Sequence, residues 1–145
     1  MEAASVTLSK VIPQRRSSED PVKVVGLLGA SDFEYMITLL AISRLGHTVL
    51  LLSTRIAEDA YVSLVENTSA SFLIVHHKFQ AIGEKVAERT NIVLHAALSP
   101  EQYDSSVASA ARLPSADLDG TKEAGNICWV SSCFHDGSQF ADAFA

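Results

Sequence analysis

Apolar positions along the chain fall into short solid runs separated by stretches of helical spacing, and that alternation predicts the elements. Residues 22–28 (VKVVGLL) are apolar and rich in β-branched side chains, the composition of a strand covered on both faces. Gly29 lets the backbone turn. Ser31 is placed to cap a following helix, and Glu34, three residues on, completes a capping box. Phe33, Ile37, Leu40 and Ala41 recur at helical spacing and predict the face laid on a sheet. Gly46 ends that helix, where a left-handed residue without a Cβ costs least. Residues 47–53 are a second apolar run. Residues 22–55 therefore read as strand, helix and strand, a parallel unit whose crossover is right-handed.

The same alternation continues downstream. Residues 57–67 have helical spacing, with Ala60, Tyr61, Leu64 and Val65 as the inner face, and 67–69 stop them. Residues 71–75 (SFLIV) predict a third buried strand. Phe79, Ile82 and Val86 mark a helix running to about Arg89, and residues 91–95 (NIVLH) predict a fourth strand. Ser99-Pro100-Glu101-Gln102 is a helix start, with a serine cap, proline at the first helical position and glutamine closing the box. Val107 and Ala111 would face inward on that helix, which ends before Pro114. After a loop over residues 115–125, residues 126–130 (NICWV) predict one more strand, with Trp129 in the core.

This order of elements defines an α/β fold, a mainly parallel sheet of four or five strands with flanking helices. The first 21 residues are polar and broken by Pro13 and Pro21, and are expected to form a flexible arm. Residues 131–145 show no period and are expected to be an irregular tail. The organisation is thus an arm (1–21), an α/β unit (22–130) and a tail (131–145).

Composition narrows the function. One domain suits 145 residues, and 48% hydrophobic residues suffice for a core. A formal net charge of −6, with no basic patch interleaved with aromatics, argues against nucleic-acid or anionic-membrane partners. No apolar run approaches a membrane span, and the first residues lack the apolar core of a secretory signal. The two cysteines, Cys128 and Cys133, make no disulfide framework, and a cytoplasmic location is expected.

Two constellations bear on chemistry. Gly26, Gly29, Ala30 and Ser31 lie between a strand and a helix, where a dinucleotide fold puts its glycines, and Arg55 ends the second strand where an NADP phosphate would bind. The stretch resembles the opening of atypical short-chain dehydrogenases. It departs from them at Asp32, a carboxylate at a helix N-terminus that would repel pyrophosphate, and at Tyr35, which would block close approach. Cys128, Cys133, His135 and Asp136 fit no common zinc spacing. His76 and His77 stand at a strand end, where α/β sheets place ligands or merely begin a polar loop. His47 reads as a capping or hydrogen-bonded residue. No G-x-S-x-G elbow anchors a hydrolase triad. No residue is assigned a catalytic, cofactor-binding or metal-binding role.

Residues 25–55 (VGLLGASDFEYMITLLAISRLGHTVLLLSTR), continued by 69–79 (SASFLIVHHKF) and 126–130, resemble the N-terminal subdomain of AMP-dependent synthetases and ligases. Fungal-type members are the nearest in character. The resemblance implies part of the large α/β subdomain of an enzyme that activates a carboxylic acid with ATP and magnesium. The acyl-adenylate then passes to the thiol of CoA or of a carrier protein. The family holds ATP with a Ser/Thr/Gly-rich loop ending in lysine. Residues 131–138 (SSCFHDGS) contain serines and a glycine but neither a threonine-glycine pair nor a lysine. The resemblance therefore implies a truncated relative, inactive alone, with no cofactor of its own. A degenerate NADP-binding oxidoreductase, or a non-enzymatic module that associates with a full-length relative, is the alternative expectation.

Overall fold

The computed structural model describes residues 2–103 and 113–115, and the backbone of 127–129. Its strands are β1 (Val24–Leu28), β2 (Thr48–Leu52), β3 (Phe72–Val75), β4 (Val93–Ala96) and β5 (Ile127–Trp129). They form one sheet in the order β4-β3-β1-β2-β5, with every neighbouring pair parallel. The helices are α1 (Glu2–Ser9), α2 (Phe33–Arg44), α3 (Glu58–Asn67), α4 (Gln80–Thr90) and the single turn α5 (Pro100–Tyr103). The expected α/β fold with a parallel sheet and flanking helices is the fold observed.

Strand side chains alternate between two cores, as the two-residue period requires. Val25, Leu27, Val49, Leu51, Phe72 and Ile74 join Leu39, Ala41, Ile42 and Leu45 on one face. Leu28, Leu50, Leu52, Leu73 and Val75 join Tyr61, Val62, Val65 and Val86 on the other. α2 thus covers one face, and α3 with α4 covers the second. Tyr61 is buried with its hydroxyl donating to the Ser53 carbonyl at 2.6 Å, so the ring fills the core and its polar end is satisfied. Arg89 of α4 donates to Asp59 of α3 at 2.6 Å, pinning the two helices at the surface.

Three local expectations differ from the structure. α2 is capped by Asp32, whose Oδ1 accepts from the Tyr35 backbone N–H at 2.9 Å, and not by Ser31. Glu34 is thereby free to reach across the sheet instead of closing a box with Ser31. Phe33 and Leu40 lie outward, 69% and 45% exposed, while Thr38, Leu39, Ala41 and Ile42 face the sheet. The cause is that α2 is apolar nearly all round, so spacing alone does not select its inner side. Gly46 does terminate the helix as expected, at φ 83°.

The first 21 residues are the largest correction. In place of a flexible arm, α1 packs along α2, burying Ala4, Leu8 and Ile12 in the α2-side core. Burying side chains such as Leu8 and Ile12 stabilises by roughly 1.5–3 kcal/mol each. The connector that follows is fastened by polar groups. The buried Arg15 donates to the carbonyls of Gly46 (2.9 Å), Asp20 (3.0 Å) and Ser18 (3.4 Å), and its own N–H reaches the Leu45 carbonyl at 3.0 Å. The C-terminal end of α2 suits a guanidinium, because orphan carbonyls and the helix dipole both favour a cation there. Asp20 accepts from the Arg16 and Ser17 backbone N–H groups, which hold its carboxyl below the usual range.

At α5 the expected box is half formed, with the Gln102 side chain accepting from the Ser99 N–H at 2.8 Å. The expected positions Val107 and Ala111, the loop 116–125 and the tail 131–145 lie outside the described residues.

Candidate functional site

The connection from β1 runs to β2 on one side, and that from β3 runs to β4 on the other. Adjacent loops that leave in opposite directions open a crevice at the carboxyl ends of β1 and β3, where open α/β sheets bind ligands. The Gly29–Tyr35 turn and the His76–Phe79 turn form its walls. His76 ends β3 and its side chain is 8% exposed. Its Nδ1 accepts from the Lys78 N–H over a long 3.5 Å. Nε2 faces Glu34 Oε2 at 3.4 Å and Asp32 Oδ2 at 4.0 Å. The His77 ring lies against it, centroids 4.0 Å apart.

The glycines of the turn serve this packing. A Cβ on Gly29 would stand 3.1 Å from His76 Cβ and 3.2 Å from Tyr35 Cδ2. A Cβ on Gly26 would stand 3.0 Å from Leu73 Cδ1. In a phosphate-binding turn, missing side chains let ligand oxygens approach backbone N–H groups. Here the chain's own imidazole and phenol take that space, and burial pushes the Tyr35 phenol above its ordinary pKa. Two carboxylates sit at the helix N-terminus that would face the phosphate. Asp32 and Glu34 therefore bring negative charge, and the Tyr35 ring brings bulk, to the position where such a turn would receive phosphate oxygens. The NADP-binding alternative loses its support on the same geometry, and Arg55 is an exposed residue beyond β2.

Other candidate residues have structural partners. His47 is 1% exposed. Its Nδ1 accepts from the Lys23 N–H at 3.3 Å, and Nε2 lies 2.7 Å from the Pro13 carbonyl to which it donates. No group of three metal-ligating side chains occurs among the described residues. The side chain of Cys128, with Cys133, His135 and Asp136, lies outside them. Sequence reading missed the pairing of Glu34 with His76. The two residues meet only because β1 and β3 are neighbours, and no local spacing encodes that.

The sheet, its order and its flanking helices define the class, an α/β unit also found in adenylate-forming ligases. The chain is similar to apo MatB from Rhodopseudomonas palustris, at TM-score 0.63 and 13% identity over 92% of this chain and 25% of that one. It is similar to the anthranilate CoA ligase AuaEII in complex with anthranoyl-AMP, at 0.60 and 18% over 79% and 22%. It is also similar to the luciferase-like enzyme of the mealworm Zophobas morio, at 0.55 and 16% over 69% and 23%. At these identities the likeness is one of fold, and the chain spans about a quarter or less of each neighbour's length. By sequence, the chain matches no family model and no curated protein. No helix among the described residues is long and apolar enough to cross a membrane.

Proposed function

We propose that the chain represents part of the large N-terminal subdomain of an AMP-dependent, fungal-type acid–thiol ligase, and that residues 1–145 alone do not activate a carboxylic acid. The supporting observation is the likeness of this fold, a parallel β4-β3-β1-β2-β5 sheet with flanking helices, to adenylate-forming enzymes. In the parent reaction ATP and magnesium would convert a carboxylate to an acyl-adenylate, and a CoA or carrier-protein thiol would take the acyl group. Catalysing it requires amide donors and a cation around the phosphates. The switch-point turn offers Asp32, Glu34 and a buried imidazole instead. Residues 131–138 contain no lysine. We assign the chain a scaffold role in the cytoplasm, without its own cofactor, without nucleic-acid or membrane partners, and able to associate with a full-length relative.

Two measurements test this. Purified protein incubated with ATP, labelled pyrophosphate and a panel of carboxylic acids is expected to show no acid-dependent exchange, and exchange would refute the inactive assignment. An experimental structure is expected to show the strand order 4-3-1-2-5, and a different order would remove the basis for the ligase reading.

A further inference from the structure

The N-terminal segment holds a part of the chain far from it in sequence, and it does so with side chains on main-chain groups. Thr7 Oγ1 donates to the Gln102 carbonyl at 3.2 Å, and Gln14 Nε2 donates to the Pro114 carbonyl at 3.0 Å. Glu2 Oε1 accepts from the Leu113 N–H at 3.3 Å, while Oε2 takes the Arg44 guanidinium at 2.6 Å. One carboxylate thus ties α1, α2 and Leu113 together. Beneath these ties the apolar packing is shared. Leu8 and Leu98 are buried in the same core, with Tyr103 and Leu113 packed against it.

Neither piece is self-sufficient. An eight-residue helix and a single helical turn do not persist alone in water. α1 and α5 pack on each other, so losing one strips the other of contacts. The sheet does not share this dependence. Its β4-β3-β1-β2 ladders run between residues 24 and 96 and include neither piece. Undocking α1 with α5 breaks none of those ladder hydrogen bonds and costs less than unfolding the sheet.

We propose that residues 2–15, with 98–103 and 113–115, form a strap across α2 that opens and closes as one unit while β1 to β4 stay folded, and that Glu2 is its latch. The strap is a conformational device. It sets when the α2 side of the core, Leu8 and Leu98 included, meets water. Because Glu2, Thr7 and Gln14 grip backbone groups, the docking of the distant pieces is governed from the N-terminal side. The strap follows from these contacts alone and stands or falls separately from the ligase reading.

Native-state hydrogen exchange of the 145-residue protein, followed by NMR at rising denaturant, tests it. Three amides report. Ile12 is bonded to the Leu8 carbonyl at 2.8 Å, Gln102 is bonded to the Ser99 carbonyl at 2.9 Å, and Ile74 lies buried in β3 between β4 and β1. Ile12 and Gln102 are expected to share one opening constant and one small denaturant slope. Ile74 is expected to be better protected, with a larger slope. Glu2→Ala is expected to speed Ile12 and Gln102 by one common factor of about three to five, although neither amide bonds to Glu2. Val86→Ala, in the opposite core, is expected to speed Ile74 about tenfold and leave both strap amides unchanged. Gln102 unmoved while Ile12 accelerates overturns the proposal, because the pieces then open separately. So does a Glu2→Ala variant that moves neither amide. Strap amides that follow Ile74 in Val86→Ala also overturn it, since the whole molecule would then open as one.

Discussion

The two faces of the sheet are closed in different ways. The α3–α4 face is built from one contiguous stretch, in which each helix follows its strand and brings a single apolar side. The α1–α2 face is assembled from residues 2–12, 33–45 and 98–103, with a helix that precedes every strand. Continuous segments carry their packing instructions within themselves. The stitched face depends on a distant segment finding its seat, and it leaves the outer side of α2 open.

Ile12→Ala breaks this comparison most sharply. Ile12 is fully buried, and truncating such a residue costs about 2–5 kcal/mol. The urea midpoint is expected to fall accordingly, and an unchanged midpoint would make residues 1–21 the flexible arm that composition predicts. On the opposite face, Gly83→Ala would place a Cβ 2.8 Å from Val75 Cγ2 and 3.2 Å from Leu94 Cδ1. The overpacking outweighs the gain in helix propensity and leaves a net loss of about 1–2 kcal/mol. A stabilised variant would show that α4 sits farther from the sheet.

Asp32→Ala should cost about 1 kcal/mol, the usual value of an N-cap, and Ser31→Ala almost nothing. Equal effects in urea titrations would return the cap to Ser31. The smallest expected effect is absent at neutral pH. Burial raises the phenol pKa of Tyr35 on one face and of Tyr61 on the other. The folded state therefore resists ionisation, so its stability is intact below about pH 10 and falls as pH rises through that value. Tyrosinate absorbance should show two delayed ionisations, and ordinary midpoints for both would place the rings in water.

The strands were legible because solid apolar runs have few other uses, and the ends of α2 and α4 because Gly46 and Arg89 mark them. The inner face of α2 was not legible. Thr38 is buried with its hydroxyl returned to the Glu34 carbonyl at 2.8 Å, while Phe33 and Leu40 are exposed, against simple hydropathy. The N-terminal helix had a signal, Ala4, Leu8 and Ile12 at intervals of four. Small and polar neighbours diluted it, and Arg15 looks like a solvated charge until the carbonyls around Gly46 are in place. At the crevice, Asp32 caps α2 and the Tyr35 ring packs under Gly29, positions that local spacing does place at this turn. The meeting of Glu34 with His76 depends on strand order, which residue spacing does not carry.

His47 has one further consequence. It ties Pro13 and Lys23 to the corner between α2 and β2, and α1 docks just beyond. An eight-residue helix does not persist alone in water. During translation, the α1 segment must therefore wait unordered until Arg44 through Leu50 have emerged to receive it.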